Sequence, residues 1–369
     1  MKKILFLTRE FGVSGSEMLL LYILRNLDDS KFKSFVFSKE KGVLLNELPL
    51  NIESFVSYKF SKKPFRYLFG KILSKLKINP LYYQLKKIQE HSKADFWYVN
   101  TVINPEFYGI AKKLGVKVIT HAHELPMAYS INTAQEMSEV FNGTDLLIGC
   151  AEIVCDKFRE MGHQNTKLLY GFIDHSKIKL QLTKEVARKK IGLSDDDFVW
   201  VISGHTILTK GIEFLIPLVK QLNPSVKIIW IGKEVERGTN FYIKKALEHA
   251  FSNQVMFLGQ QREFYYDYLN CADAFLLLSK EDSFPLVMIE AAYLGKPIAS
   301  FNSGGVSEFV NDDIGTVVNN WNVEDLAKAM AEISTNIADY NPETIKAYSL
   351  AFEASTQIKK LEDILTNFS

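Results

Sequence analysis

Two acidic residues, Asp282 and Glu290, have the spacing expected for a ligand that carries both hydroxyl and phosphate groups. They lie in the segment SKEDSFPLVMIEAA, residues 279–292, which follows an apolar run at 274–278 and opens a predicted helix at Pro285. Open α/β sheets bind ligands at such strand-to-helix turns. The free N–H groups of a helix start attract phosphate, and carboxylates accept hydrogen bonds from sugar hydroxyls. A nucleotide sugar satisfies both requirements, whereas an ordinary capped helix with a solvated acidic start is the structural alternative.

A lysine follows a second predicted strand, at residues 198–203. Gly204, His205 and Lys210 lie in the turn after this strand, immediately before Gly211. A lysine at such a turn neutralises diphosphate oxygens, and charge-assisted hydrogen bonds are about twice as strong as neutral ones. The alternative is a solvated lysine at the start of a helix, which we expect to extend to about residue 222.

The first half of the chain carries weaker signals. The turn FGVSGS at 11–16 follows a predicted strand, and Gly15 either lets a phosphate or sugar approach the backbone or only relaxes a tight turn. His123 follows a predicted strand at 116–121 and therefore lies at the ligand-binding edge of a sheet. His121, His123 and Glu124 do not predict a zinc site, because the HExxH spacing is absent and strand alternation separates His121 from Glu124. A histidine bonded to loop backbone is the alternative.

The composition excludes several functional classes. A net charge of +1 gives no reason to expect nucleic acid as a partner. The three cysteines are too few and too scattered for a disulfide framework, so we expect buried thiols and a reducing cytoplasm. The apolar run after Lys2 and Lys3 is too short for a signal peptide, and no run reaches the length of a membrane span. We therefore expect a cytoplasmic protein that is soluble or peripheral on the inner face of the membrane.

Apolar strands alternate with helical patterns along most of the 369 residues, which predicts βαβ units with parallel sheets. A chain of this length accommodates two domains. We expect two domains, at 1–175 and 176–341, and a C-terminal helix within 342–369.

A basic segment interrupts this pattern at residues 59–93. It holds ten lysines and arginines but one acid, Glu90, and aromatic residues are interleaved among them. Residues 63–77 have helical spacing with an apolar side and a basic side. Such a helix suits an anionic membrane surface, with about 1 kcal/mol of attraction per nearby basic residue. A surface helix whose apolar stripe packs on the sheet explains the pattern equally well, and nucleic acid is a poorer alternative.

The segment from Asp282 to Glu290 resembles the acidic signature of retaining glycosyltransferases of family 4, although Asp282 stands where the usual form has Glu. Lys210 and Gly211 match a second family pattern, in which His205 takes the place of an arginine. The turn at Gly15 is similar to the family's Gly-rich turn. The resemblance covers most of the chain and is more specific in the second half.

The resemblance implies the GT-B fold, with two Rossmann-like domains whose parallel sheets face each other across a cleft and a C-terminal helix that crosses back to the first domain. It also implies that the first domain binds the acceptor and the second binds the nucleotide sugar. It places the ribose at Glu290, the donor sugar near Asp282 and His123, and the base near Gly259. The implied catalytic residues are Lys210, Asp282 and His123. The implied donor-binding residues are Gly15, Gly204, His205, Lys210, Gly259, Arg262, Ser283, Phe284, Leu286, Val287 and Glu290.

The implied reaction moves a hexosyl group, with retention, from a UDP- or GDP-sugar to a hydroxyl of a carbohydrate or lipid-linked acceptor in cell-envelope polysaccharide or glycolipid synthesis. We expect no metal and no further cofactor. Because histidine is charged only where its pKa is raised, we expect activity to fall as pH rises through the titration of His205. The alternatives are a non-catalytic homologue that acts as a binding or partner-stabilising subunit, and a sugar epimerase of the same fold.

Overall fold

The computed structural model describes residues 1–60, 64–76 and 78–368, and the chain divides into two compact units. The first unit consists of Met1–Gly171 and Ala354–Ser369, and the second unit is Phe172–Glu353. The predicted boundaries at 175 and 341 differ from these limits, most at the second crossing, where helical residues after 341 stay with the second unit.

The first unit is built on a seven-stranded parallel sheet. The strands have the order β3-β2-β1-β4-β5-β6-β7, and every neighbouring pair is parallel. The strands are β1 (Lys2–Thr8), β2 (Phe32–Ser38), β3 (Glu53–Val56), β4 (Phe96–Asn100), β5 (Lys117–Ala122), β6 (Leu146–Gly149) and β7 (Thr166–Leu168). The helices of this part of the chain are α1 (Gly15–Asn26), α2 (Pro64–Lys75), α3 (Pro80–Ser92), α4 (Glu106–Leu114), α5 (Pro126–Tyr129), α6 (Ala134–Gly143) and α7 (Glu152–Glu160).

The second unit is built on a six-stranded parallel sheet with the order β10-β9-β8-β11-β12-β13. Its strands are β8 (Phe198–Ser203), β9 (Val226–Ile231), β10 (Val255–Gly259), β11 (Ala274–Leu277), β12 (Ile298–Phe301) and β13 (Gly315–Val318). Its helices are α8 (Lys184–Lys190), α9 (Leu215–Val219), α10 (Thr239–Ala250), α11 (Tyr265–Cys271), α12 (Leu286–Tyr293), α13 (Val323–Thr335) and α14 (Pro342–Ser349). The helix α14 packs on α12, which keeps it in this unit.

The last helix, α15 (Ala354–Asn367), returns to the first unit and packs on α1. Its carboxyl end is held by Lys2, whose Nζ donates to the carbonyl oxygens of Leu365 at 3.1 Å and Thr366 at 2.7 Å. The Oε1 atom of Glu362 on α15 accepts from the backbone N–H of Asp28 at 2.9 Å. These contacts explain why the C-terminal helix belongs to the first unit, although the residues directly before it, up to Glu353, belong to the second.

The central strands are buried on both faces, as expected for parallel sheets covered by helices. The β4 sequence FWYVN is fully buried, and Trp200 of β8 and Trp230 of β9 lie in the core of the second unit. The three cysteines are free and buried, which confirms the expectation of buried thiols. Among the residues described, no helix combines the length and apolarity needed to cross a bilayer.

The single helix expected up to residue 222 is wrong. Two short 3₁₀ segments, Leu208–Lys210 and Ile212–Phe214, precede α9, which ends at Val219. Gly211, between these segments, has a φ of 77°, which lies outside the helical region. Pro217 lacks a backbone N–H and lies in the first turn of α9, where such a donor has no partner inside the helix, so it fits a helix that starts at Leu215 and not one that continues from Gly211.

Candidate functional site

Lys210 and Asp282 are brought together at one edge of the second sheet. Strands β8 and β11 are parallel neighbours, so the loops after their carboxyl ends are adjacent. The Nζ atom of Lys210 forms an ion pair with Oδ2 of Asp282. The same carboxylate oxygen accepts from the hydroxyl of Ser279 at 3.2 Å. This edge therefore holds a cation and an acid in one fixed arrangement.

The lysine is positioned by close backbone packing. A Cβ atom at Gly211 would lie 2.0 Å from the carbonyl oxygen of Leu278, so only glycine fits there. The backbone N–H of Lys280 donates to the carbonyl oxygen of Thr209 at 3.0 Å and joins the two loops again. The aliphatic part of Lys210 lies over Gly204, where an added Cβ would be 3.7 Å from the side-chain carbons of Lys210.

The acidic loop is held from its other side by the loop after β12. The N–H of Asp282 donates to the carbonyl oxygen of Ser303 at 2.7 Å, and the N–H of Gly305 donates to that of Ser283 at 3.1 Å. The side chain of Phe284 is buried against Phe352, so it does not face a ligand. The loop thus presents backbone and carboxylate groups rather than apolar side chains.

The helix α12 begins directly after this loop. Its N-cap residue is Pro285, and no side chain caps the helix start. Leu286 and Val287 form its first turn, whose N–H groups have no partner inside the helix because the first four donors of any helix lack one. Together with the positive end of the helix dipole, these donors make the start of α12 attractive to anions.

Glu290 lies on α12 and accepts two phenolic hydrogen bonds. Its Oε2 accepts from the hydroxyl of Tyr265 at 2.8 Å, and its Oε1 accepts from that of Tyr266 at 3.2 Å. The hydroxyl of Tyr265 also lies 2.8 Å from Oγ of Ser203. Burial raises the pKa of Glu290 to about 7, although the two tyrosine hydroxyls act in the opposite direction. The sequence pattern located Glu290 but gave no signal for the tyrosines, whose orientation depends on tertiary packing.

His205 is not poised as a cation. Burial, followed by the positive charges of Lys233 and Lys210, lowers the pKa of His205 below its usual value. The fall in activity expected from the titration of His205 would therefore occur at a pH below the usual range for histidine. Lys210 is left as the cation of this loop.

The remaining donor-binding candidates of the second unit lie near the end of β10. Gly259 ends this strand with a φ of 66°, and its carbonyl oxygen accepts from the N–H of Gly232 at 2.9 Å. Arg262 is exposed in the following turn. A Cβ added at Gly259 would lie 3.4 Å from Oε1 of Glu234, so the side chain of Glu234 lies beside the end of β10. The sequence gave no signal for Glu234.

His123 and Gly15 belong to the first unit. Nε2 of His123 lies 3.0 Å from Oδ1 of Asn100, and its ring centroid lies 4.1 Å from that of His121. Burial lowers the pKa of His123 to about 3, so this ring is neutral at physiological pH. Gly15 is the first residue of α1, and nothing lies within 4 Å of a Cβ added there.

Two carboxyl groups of the first unit were not assigned a role from the sequence. Glu17 is buried in the first turn of α1, and burial raises its pKa to about 7. Glu124 accepts from the N–H groups of His123 at 2.9 Å and Val102 at 3.2 Å, and burial raises its pKa to about 7 as well. His121 is committed to the hydroxyl of Tyr98 at 2.6 Å. Within the described ranges, no group of three or more His, Cys, Asp or Glu side chains is arranged to hold a metal ion.

Two solved structures share the whole fold, and their sequence identities are low enough that the likeness concerns the fold alone. HepE of Anabaena, solved in complex with UDP, aligns with a TM-score of 0.82 at 20% identity and covers 100% of both chains. WaaG, a glycosyltransferase involved in lipopolysaccharide biosynthesis, aligns with a TM-score of 0.75 at 16% identity, covering 99% of this chain and 100% of WaaG. The chain has the GT-B fold, as the sequence predicted.

The family match is confined to the second unit. Residues 183–348 match the model of the family described as glycosyl transferases group 1. TuaC of Bacillus subtilis, named as a teichuronic acid biosynthesis glycosyltransferase, is 30% identical over 185 residues, which are 48% of this chain and 44% of TuaC. The lipopolysaccharide 1,2-N-acetylglucosaminetransferase of Salmonella typhimurium is 29% identical over 139 residues, which are 34% of this chain and 36% of that enzyme. The chain thus spans less than half the length of these relatives, and its second unit is similar to the group 1 family, in agreement with the predicted resemblance.

Proposed function

We propose that the protein is a glycosyltransferase that moves a hexosyl group from a nucleoside-diphosphate sugar to an acceptor hydroxyl, with retention at the anomeric carbon. The observation that carries this proposal is the pairing of Lys210 with Asp282 beside the uncapped start of α12. A cation, free helix N–H groups and carboxylates at one sheet edge match the diphosphate and hydroxyl groups of such a donor.

The main chemical difficulty of this reaction is the negative charge that grows on the departing diphosphate. Preorganised donors aimed at that charge are worth about 3–4 kcal/mol each. Lys210 and the N–H groups of Leu286 and Val287 supply them without a bound metal, and Ser283 and Phe284 contribute backbone groups. Because His205 is neutral, it contributes a hydrogen bond rather than a charge.

The carboxylates have separate roles in this proposal. Glu290 accepts the ribose hydroxyls, and Asp282, held by Lys210 and Ser279, faces the donor sugar. Lys210 and Ser279 both donate to Oδ2 of Asp282, which lowers the nucleophilicity of this carboxylate. Retention then proceeds by front-face attack, in which a leaving phosphate oxygen takes the proton of the acceptor hydroxyl. His123 is the first-unit residue assigned to the sugar.

UDP-sugars are the first donors to test and GDP-sugars the second, because HepE was solved with UDP. Gly259 and Arg262 are assigned to the base. The acceptor that the relatives favour is a cell-envelope polysaccharide or glycolipid, since TuaC is named for teichuronic acid synthesis and the Salmonella enzyme for lipopolysaccharide.

The test of this proposal is a screen of the purified protein against UDP-, GDP- and ADP-sugars with simple sugar and lipid-linked acceptors. We expect one donor to be consumed, and NMR of the product to show the same anomeric configuration as the donor. Binding of a nucleotide sugar without transfer or hydrolysis would favour the non-catalytic alternative. A new epimer formed without acceptor would favour the epimerase.

We also propose that the first unit docks on the anionic inner face of a membrane through α2. Residues 61–63 and 77 of the basic segment lie outside the described residues. On α2 a stripe of apolar side chains is exposed, whereas Leu73 is buried. The exposed fractions of the side chains in this stripe are 78% for Phe65, 56% for Leu68, 45% for Ile72 and 64% for Leu76. Their spacing of three to four residues places them along one side of the helix. On another side of α2, Phe69 packs against Tyr58 and Tyr83, so the helix has one apolar side in contact with the protein and one exposed.

Basic groups flank the stripe. Lys71 and Lys75 are exposed on α2, and Nζ of Lys71 lies 4.6 Å from the ring centroid of Tyr67. Lysines beside an exposed apolar helix face are complementary to anionic lipid headgroups above an acyl layer.

Co-sedimentation with phosphatidylglycerol vesicles tests the docking face. We expect salt-sensitive binding that a Leu68→Ser and Ile72→Ser double variant loses. Leu50→Ser is the matched control, because Leu50 is fully exposed elsewhere in the first unit. Equal binding of the double variant and the control would contradict the assignment.

A further inference from the structure

We propose that Tyr265 is a positioning residue that aims the Glu290 carboxylate at a ribose diol, so that the site selects ribonucleotides over 2′-deoxyribonucleotides. This inference rests on the proposed role of Glu290 as the ribose-binding residue. It adds two tyrosines and a serine that neither the sequence patterns nor the family match assigned.

The hydrogen bonds around Glu290 have a defined direction. A carboxylate only accepts, so Tyr265 donates to Oε2 at 2.8 Å and Tyr266 donates to Oε1 at 3.2 Å. The proton of Tyr265 is then used, so Ser203 donates its own proton to the Tyr265 oxygen across 2.8 Å. The carboxylate is therefore fixed at both oxygens, and one of its two fixing hydroxyls is itself held.

The remaining acceptor capacity of Glu290 matches a vicinal diol. An ionised carboxylate has about four lone-pair positions, two on each oxygen. Each tyrosine occupies one position, which leaves one on each oxygen. Two neighbouring acceptors in a fixed orientation suit the 2′- and 3′-hydroxyls of ribose. A freely rotating carboxylate would bind a sugar with one hydroxyl almost as tightly as one with both, so it would discriminate less.

The hydrogen bonds from Ser203 to Tyr265 and from Tyr265 to Glu290 also connect the two parts of the proposed donor site. Ser203 ends β8 and precedes Gly204, over which the side chain of Lys210 lies. Tyr265 begins α11, and Glu290 lies on α12. Glu290, assigned to ribose, is thus linked through Tyr265 to Ser203, and Lys210, assigned to diphosphate, lies over the next residue, Gly204.

Binding by calorimetry at pH 8 tests the inference, with UDP, GDP and ADP and the 2′-deoxy form of whichever binds. We expect the unmodified protein to prefer the ribonucleotide and Tyr265→Phe to reduce this preference about tenfold, because a hydrogen bond to a charged group is worth that much. Affinity for the 2′-deoxy form should change less than about twofold. Tyr268→Phe is the matched control, since Tyr268 lies on the same helix and, among the described residues, the tyrosines that donate to Glu290 are Tyr265 and Tyr266.

A second readout separates positioning from simple support of the fold. The Tyr265 hydroxyl lowers the pKa of Glu290, so Tyr265→Phe should move the midpoint of the pH dependence of ribonucleotide binding to higher pH. Tyr268→Phe should leave that midpoint in place. If Tyr265→Phe does not fold, Ser203→Ala, which keeps the Tyr265–Glu290 bond, should show the same changes at smaller size.

The two levels of the proposal fail differently. If no nucleoside diphosphate binds to the unmodified protein, the proposed function is wrong. If a nucleotide binds but its 2′-deoxy form binds equally well, or Tyr265→Phe keeps both the preference and the pH midpoint, the positioning role is overturned and the proposed function stands.

Discussion

Lys210 and Asp282 form an ion pair between the loops that follow two neighbouring parallel strands, β8 and β11. The pair holds a lysine Nζ at the edge of the sheet where α12 also begins. A cation fixed by an acid needs little reorganisation when a diphosphate develops charge, and this preorganisation is the main source of catalysis in such sites.

Replacing Lys210 by alanine should lower kcat by a factor of about 10²–10³, because one preorganised donor to the leaving group is lost. The melting temperature should change little, since a partly exposed ion pair contributes about 0–1 kcal/mol. Steady-state kinetics with the identified donor checks this. Lys184→Ala is the control, because Lys184 is similarly exposed and paired with Asp273 before the amino end of β11. Turnover within threefold of normal in Lys210→Ala would remove the lysine from the mechanism.

Glu290→Gln should change how stability depends on pH. The folded-state pKa of Glu290 is raised to about 7, above its ordinary value of 4.5. The protonated carboxyl therefore favours the fold at low pH, and this contribution is lost as pH rises through about 7. The unfolding free energy of the unmodified protein minus that of Glu290→Gln should fall between about pH 4.5 and 7, by at most ~1.4 kcal/mol per pH unit.

Urea unfolding at several pH values measures this difference, and subtraction cancels the similar contributions of Glu17 and Glu124. Glu263→Gln, an exposed residue in the turn before α11, serves as the control and should show no such trend. A flat difference for Glu290→Gln across this range would mean that the carboxyl is not held in a low-dielectric environment.

Gly211→Ala should destabilise the protein far more than Gly192→Ala. Both glycines have positive φ, 77° and 79°, so both alanines incur about 1–2 kcal/mol of backbone strain. At Gly211 the new Cβ would also meet the carbonyl oxygen of Leu278 at 2.0 Å, whereas nothing lies within 4 Å at Gly192. Overpacking adds about 1–3 kcal/mol and displaces the neighbouring Lys210. Equal losses of stability in the two variants would contradict the close packing of the two loops.

His123→Ala should lower turnover without changing the shape of the pH–rate profile. Because burial lowers the pKa of His123 to about 3, the ring stays neutral between pH 5 and 9 and acts only through hydrogen bonds. The loss should be about three- to tenfold, the size of one neutral hydrogen bond. His249→Ala, at an exposed position, is the control. A limb of the profile that disappears with His123 would show that this histidine titrates during the reaction.

Sequence patterns predicted the framework of the second unit well. The strand β8 has the predicted limits, residues 198–203, because its apolar run ends at Ser203 and Gly204. The order of strand, Lys210 loop, strand and acidic helix start then placed the proposed donor site at one sheet edge. The GT-B fold followed from the same alternation and from the resemblance.

Other features depend on packing that a local pattern does not contain. The sequence patterns assigned no role to the tyrosines around Glu290, since the direction of a phenol depends on its tertiary neighbours. The exposure of Leu68 and Ile72 was undecided, because an amphipathic helix looks the same whether its apolar side is buried or free. The neutral state of His205 follows from burial beside Lys210 and Lys233, which are brought near it by different loops.

Isothermal titration of nucleoside diphosphates and monophosphates into the unmodified protein and two variants tests the central claim most directly. The account predicts that one nucleoside diphosphate binds, that Lys210→Ala loses its preference over the monophosphate, and that Glu290→Ala weakens both by about tenfold. If no diphosphate binds the unmodified protein, or if both variants bind it as tightly as the unmodified protein does, the account is contradicted.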